Sequence, residues 1–288
     1  MKRITGFLLI ILSAACFGTL AIFGRYAYLD GLDTVTMLFL RFSLSAAIMF
    51  VILLMRRETL PRGRVLLQLI CMGALGYVGQ SFSYISAIQF ASAGLVAFLL
   101  YLYPFFVAVL SMIFLRERIM PVKFLALVVA LTGTCLTAAP AGGQMAGVLL
   151  AIAAALIYSI YIIVGTHVMK HVSSVQSSTV IFASAGFVYA LFTAFTGAQF
   201  PESNFGWMAM IGMILLSTIL PVVAFLAGLE RIGPTSAALL STLEPVVTVL
   251  LAAWLFGERL EPVVLAGGSL ILASVLLLTR SELGSIKR

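Results

Sequence analysis

A chain of 288 residues that is 62% hydrophobic and only 9% charged cannot hide its apolar surface inside a water-soluble fold, because soluble domains are about half apolar and a quarter charged. With a mean hydropathy of +1.19, lipid must be the solvent. At roughly 20 apolar residues per crossing of a ~30 Å hydrocarbon core, the length allows about ten helices and no separate soluble domain. The net charge of +7 is scattered over short loops without interleaved aromatics, which argues against a nucleic-acid partner.

The apolar segments fall at 4–24, 34–55, 65–88, 92–115, 119–139, 145–165, 174–197, 205–229, 235–256 and 260–279. Turn residues punctuate them at Asp30-Gly31-Leu32-Asp33, Pro61-Arg62-Gly63, Pro140-Ala141-Gly142-Gly143, Pro201-Glu202-Ser203-Asn204 and Gly233-Pro234. Segment 1, preceded by Met1-Lys2-Arg3, has the outline of a signal peptide. It is too long for that and nine more segments follow, so a retained first helix is expected. Ser13 stands where a lipobox ending at Cys16 needs an aliphatic residue. In segment 2, Arg41 lies close enough to the helix start to be expected to snorkel.

Segment 3 carries Gly73, Gly76, Tyr77, Gln80, Ser81 and Tyr84 on one helical stripe. Polar groups are costly against lipid, so the stripe faces either another helix or a water-filled cavity. The glycines suit close helix contact at one end, and Tyr77, Gln80, Ser81 and Tyr84 suit a cavity wall at the other. In segment 4, Tyr101 and Tyr103 lie too deep to be interfacial anchors. On a regular helix they project about 200° apart, so only one of them is expected to face a cavity. Segment 6 adds Tyr158, Ser159 and Tyr161 at similar depth. His167 and His171 have the spacing of metal ligands, but Lys170 beside them marks an ordinary membrane boundary, and no metal is expected.

In segment 9, Glu244 is the one carboxylate near the middle of an apolar run. A charge at that depth costs about 2.5–3.5 kcal/mol on insertion scales. Glu244 is therefore expected to point inward, either as a substrate or proton contact or as a structural hydrogen-bonding group. Pro104 and Pro245 remove backbone donors, freeing the carbonyls of Leu100 and Ser241 and kinking their helices. With Pro221 in segment 8 they are candidate hinges, with helix packing as the alternative; Ser241 joins the candidate cavity set. Cys16, Cys71 and Cys135 all sit in apolar segments without metal-ligand spacing.

Lipid leaves no water for open backbone groups, and the alternating period of barrel strands is absent, so the segments must be helices. With the N-terminus inside, all of the 17 basic residues except Arg25, Arg41 and Arg259 fall on inner loops. By the positive-inside rule both termini are then cytoplasmic, which requires an even number of crossings. Ten satisfies this.

Shifting the sequence by 141 residues aligns its halves. Gly6 meets Gly147, Gly24 meets Gly165, Pro104 meets Pro245, Glu117 meets Glu258, Arg118 meets Arg259 and Pro121 meets Pro262. The expected division is 1–141 and 142–288, two five-helix units that insert in opposite orientations because five is odd. In secondary transporters such inverted repeats enclose a substrate site near the midplane, and access alternates by rocking.

The chain resembles the EamA-type ten-helix members of the drug/metabolite transporter superfamily. Ala15-Cys16-Phe17-Gly18, Tyr103-Pro104 with Leu115-Arg116-Glu117-Arg118, and Leu243-Glu244-Pro245 with Phe256-Gly257-Glu258-Arg259 carry the likeness. Phe17-Gly18 stands where the family often has Trp-Gly. The resemblance implies export of small metabolites across a bacterial inner membrane. Within the family the chain is similar to the amino-acid exporters of the YddG type. No cofactor is implied; the expected partners are lipid, a small-molecule substrate and, if transport is coupled, a proton, with the protein a monomer or homodimer. An aromatic, weakly charged cavity suits apolar or zwitterionic substrates, whereas phosphates call for several buried cations. The competing reading, a membrane enzyme or flippase acting on a lipid carrier, needs clustered Asp, His-Glu-x-x-His or a Ser/His pair at one depth, and the sequence has none.

Overall fold

The computed structural model describes residues 2–91, 93–138, 144–257 and 260–284. Among these, ten helices are long and apolar enough to cross a bilayer. Numbered as spans 1 to 10, they are Arg3–Leu29, Thr34–Met55, Gly63–Tyr84, Leu95–Phe114, Pro121–Ala138, Met145–Val168, Ser174–Thr196, Asn204–Ile232, Pro234–Phe256 and Pro262–Ser281. The Pro140–Gly143 turn, the Glu258-Arg259 half of the repeat motif, and Lys287 and Arg288 lie outside the described residues. Large apolar side chains such as Leu8, Phe82, Phe114, Phe195 and Trp254 cover the outer faces of the bundle, as expected where lipid is the solvent.

Span 1 runs past the predicted end at Gly24 because Arg25 does not terminate it. Its guanidinium lies over the Phe256 ring, 4.0 Å from the centroid, a placement the ring quadrupole favours. At the next loop Asp33 caps span 2, its Oδ1 accepting from the amides of Val35 and Thr36 at 2.8 and 3.0 Å. Thr36 Oγ1 donates to Asp33 Oδ2 at 2.5 Å. Partial burial acts to raise the Asp33 carboxyl, but the Thr36 hydroxyl and the surrounding amides outweigh it and hold the group below its ordinary range.

Small residues set how the spans pair. A Cβ on Gly133 of span 5 would sit 2.6 Å from the Gly267 carbonyl and 2.9 Å from Ile271 of span 10. A Cβ on Gly267 would in turn meet the Gly133 carbonyl, Leu136 and Thr137. Advancing along span 5 therefore means retreating along span 10, and the two run antiparallel. Spans 2 and 7 approach in the same way through Ser43 and Gly186. Span 1 packs on span 8 through Gly6 and Gly228, and span 3 packs on span 6 through Gly76 and Gly79, which face Tyr161 and Ile157.

These pairings repeat at the 141-residue offset. A Cβ on Gly6 would strike Ile232 at 2.6 Å, and one on Gly147 would strike Ala91 at 2.8 Å; Gly147 and Ala91 are the offset mates of Gly6 and Ile232. The exchange that carries span 1 into span 6 thus carries the span 1–span 8 contact into a contact of span 6 with the residues that follow span 3. Antiparallel mates (5 with 10) and exchanged contacts (1–8 with 6–3) define two five-helix halves of opposite sense.

Five spans are discontinuous among the described residues: span 1 breaks in a turn at Gly18-Thr19, between Lys2–Phe17 and Leu20–Leu29, and the other four break in matched positions. Spans 3 and 8 widen into π-helix at Met72–Tyr77 and Leu215–Ile219. Span 4 breaks in a turn at Tyr101-Leu102 before resuming at Tyr103. Span 9 tightens to 3₁₀ over Ser241–Leu243 before resuming at Glu244. Pro104 and Pro245 occupy the first turn of the resumed helices, where a missing N–H costs nothing. They therefore end one helix and begin another rather than merely bending a continuous one.

Candidate functional site

The discontinuities converge on a cavity of about 860 Å³. Tyr77, Gln80, Ser81 and Tyr84 of span 3 line it, with Tyr101 and Tyr103 of span 4, Tyr158 of span 6, and Glu244 and Pro245 of span 9. Phe17, Leu20 and Arg25 of span 1, Met37, Leu38 and Arg41 of span 2, and Thr134 and Thr137 of span 5 complete much of the wall. From Glu244 and the tyrosines the lining runs toward Leu29, Thr34 and Ala138, at the end of the bundle that carries Asp30 and Asp33.

The predicted stripe of span 3 divides as its residues suggest. Gly73 faces Ser184 and Ile181 of span 7, and Gly76 faces Tyr161. Beyond the π segment, Gln80, Ser81 and Tyr84 turn to the cavity. Tyr101 and Tyr103 depart from expectation, since both reach it. The 200° separation assumes an unbroken helix, and the turn at Tyr101-Leu102 removes that assumption.

Two hydroxyls of the predicted set stand apart from the cavity. Ser159 is fully buried and donates to the carbonyls of Ala155 and Tyr103 at 2.7 and 3.2 Å. Ser241 donates to its own helix at Ala237 O, 3.0 Å away. In both, a backbone carbonyl one turn earlier is the nearest acceptor and takes the hydroxyl proton. Ser159 still matters to the site, because it braces the broken turn of span 4 at Tyr103. Of the candidate hinges, Pro245 lines the cavity, Pro104 is buried beneath it, and Pro221 is buried with its carbonyl accepting from Ser13 Oγ at 2.8 Å.

A chain of rings forms the cavity floor. Tyr103 meets Tyr158 edge-on at 4.8 Å, Tyr158 stacks with Tyr161 at 5.9 Å, and Tyr161 meets Tyr77 edge-on at 5.4 Å. Tyr77 continues to Phe42 at 5.4 Å, and Phe42 stacks with Tyr189 at 5.8 Å. Such pairs contribute about 0.5–1.5 kcal/mol each beyond their buried area, so this floor is rigid. Below it, Leu53, Leu69, Met72, Leu226, Leu229 and Leu239 fill the bundle with packed apolar side chains.

At the end away from the cavity, polar contacts tie loops together. Glu117 accepts from Lys123 Nζ at 3.1 Å and from Thr235 Oγ1 at 2.8 Å, joining the span 4–5 loop to the start of span 9. Ser173 donates to Glu58, and Gln176 donates to Thr59 O, joining the loops before spans 3 and 7. On the cavity side, Ser203 holds Asp30 through its hydroxyl and amide at 2.5 and 3.1 Å. These bonds keep the Asp30 carboxyl below its ordinary range.

Arg41 corrects the sequence reading most. It does not snorkel: it is 6% exposed, with Nε donating to Thr218 Oγ1 at 2.7 Å and Nη2 to Ser217 O at 3.3 Å. Seven residues into span 2 is about 10 Å along a helix axis, too deep for the head to reach the interface past span 8. The π segment of span 8 supplies both acceptors. Thr134, Thr137, Thr248 and Phe17 also went unrecognised as wall residues; only Phe17, inside the Ala15–Gly18 family pattern, carried a signal.

Ten spans in two exchanged halves around an aromatic cavity define a membrane transporter. Residues 4–139 and 145–280 each match the EamA-like transporter family, and the chain belongs to it. An uncharacterized transporter of Archaeoglobus fulgidus is 30% identical over 94% of this chain and 95% of its own length. The uncharacterized transporter YcbK of Bacillus subtilis is 23% identical over 88% of this chain and 86% of its own. A protein of known crystal structure shares the fold with a TM-score of 0.84 at 19% identity, over 96% of this chain and 97% of that one.

Proposed function

We propose that this transporter exports small metabolites, amino acids including aromatic ones foremost, from the bacterial cytoplasm across the inner membrane by alternating access. The observation that carries this reading is the cavity where the two halves meet, walled by Tyr77, Tyr84, Tyr101, Tyr103 and Tyr158 with Glu244 at its base. Its volume of about 860 Å³ falls within the range of small-molecule sites. Aromatic faces suit apolar and aromatic side chains. Glu244 stands at the start of a resumed helix, where a broken span exposes polar groups at depth, and serves as contact for a cationic amino group or a proton.

On this reading the repeats are 1–141 and 142–288, and both termini lie in the cytoplasm with the basic loops. The cavity then opens outward, and the packed apolar half and the Glu117 and Glu58 contacts close the cytoplasmic side. Pro104, Pro221 and Pro245 serve as hinges at the breaks when the halves rock. The test is flux of labelled amino acids from proteoliposomes containing the purified protein. Protein-dependent flux is expected; none for any metabolite class refutes the reading. In Glu244→Gln, transport and its pH dependence should both change, and unchanged behaviour removes Glu244 from the mechanism.

A further inference from the structure

Arg41 is a permanently charged side chain held in a bilayer-spanning bundle, and Glu244, the carboxylate that shares its cavity, makes no ion pair with it. No carboxylate lies within 4.0 Å of its guanidinium among the described residues; the ion pairs there are Arg56–Glu58, Lys123–Glu117 and Arg231–Glu230. Its two hydrogen bonds go to neutral oxygens, Thr218 Oγ1 and Ser217 O. The Thr218 hydroxyl gives its own proton to Met213 O at 2.8 Å, so it can only accept from Arg41. Nε and one Nη2 hydrogen are thereby committed. A guanidinium has five donors in a planar fork, so the Nη1 pair and the second Nη2 hydrogen are left over.

Arg41 lines the cavity, and the Phe42 ring, 5.0 Å from its Cζ, backs it. Anchored through Nε on the π segment of span 8, the fork has little freedom to turn away. Buried cations are retained when something pairs with them, and a fork with an unused edge matches a carboxylate bidentately. The offset mate of Arg41 is Phe182, fully buried among apolar side chains, so the bundle has one such anchor rather than two.

We propose that Arg41 is the anion anchor of the cavity, its unused Nη edge binding the carboxylate of the transported molecule. This rests on the transport reading above and narrows it to substrates that carry a single compact carboxylate. With Glu244 on the opposite sign of charge in the same cavity, the arrangement fits a zwitterion whose side chain lies among the tyrosines.

The experiment compares matched acids and primary amides, phenylalanine with phenylalaninamide and leucine with leucinamide, as competitors and as labelled substrates in proteoliposomes. In the unmodified protein the acid should compete about tenfold or more better than its amide. Arg41→Gln should bring acid and amide to equal competition, and Arg41→Lys should restore part of the preference. A purely structural Arg41 would lower both rates together and leave the preference intact. Equal competition by acid and amide in the unmodified protein overturns the anchor while leaving transport standing, and needs no variant to fold. Absence of flux for every acid and amide overturns the transport reading and the anchor with it.

Discussion

The seam between spans 5 and 10 gives the sharpest test of the packing. Replacing Gly133 by Leu places a Cβ 2.6 Å from the Gly267 carbonyl and 2.9 Å from the Ile271 amide. Both are backbone atoms, so no side-chain rotation relieves the contact; the helices must separate by several tenths of an ångström along their length. Overpacking of this kind costs typically 1–3 kcal/mol, and a branched side chain on a helix–helix seam belongs at the upper end. Helix propensity returns about 1 kcal/mol on losing Gly, leaving a net loss of about 2 kcal/mol. At roughly 2–4 °C per kcal/mol for chains of this size, the detergent-solubilised protein should melt about 4–8 °C lower. Thiol-reactive dye unfolding measures this directly, since Cys16, Cys71 and Cys135 are free. Gly79→Ala is the control: its Cβ meets only Ile157, at 3.6 and 4.0 Å, and its midpoint should hold or rise. If Gly133→Leu melts with or above the unmodified protein, the close antiparallel seam is wrong.

Three further outcomes follow from the loops. Removing the Asp33 cap with Asp33→Ala should cost about 1 kcal/mol and speed amide exchange at Val35 and Thr36. Because the Asp33 carboxyl is held below its usual range, the cap's contribution is present at neutral pH and lost only as the solution falls beneath ordinary carboxylate values; protection that fades already near neutrality would contradict this. Glu117→Gln should destabilise by about 1.5–3 kcal/mol, seen as a lower melting midpoint, because the bonds from Lys123 Nζ and Thr235 Oγ1 lose their anionic acceptor. In a cysteine-free background, thiols placed at Arg57 and Arg118 should label from the same side of the membrane and one at Ser203 from the other. Labelling of Arg57 and Arg118 positions from opposite sides would overturn the topology.

The order and placement of the ten spans were readable because lipid imposes a minimum apolar length on each crossing. Nine of the ten predicted segments differ from the spans only by a few terminal residues. The breaks were not readable. Periodicity treats a segment as one continuous helix, so nothing in the pattern announced the turn at Gly18-Thr19 or the π segment at Met72–Tyr77. Proline marked three breaks, at Pro104, Pro221 and Pro245, yet its presence alone does not distinguish a bend from a fresh start. The tyrosines of the cavity were found because large polar aromatics at mid-depth have few other uses. That Ser159 and Ser241 lie outside the cavity lining was not readable, because a serine type does not reveal that its own helix already offers an acceptor. Arg41 was misread because distance from a helix end was taken as depth, whereas span 8 covers it.

The paired π segments have a consequence for how this architecture tolerates change. A π turn is an α-helix that has absorbed one residue too many, so the chain beyond it keeps its phase. Deleting a single residue between Met72 and Tyr77 would let the helix relax to α with Gln80, Ser81 and Tyr84 still aimed at the cavity. The same deletion at Val78 or Gly79, in the α-helix that follows, has no bulge to absorb it and turns those three by about 100° around the axis. Changes of chain length are therefore buffered inside the π segment and magnified just past it, so losing Gly79 should silence the protein more completely than losing Leu75.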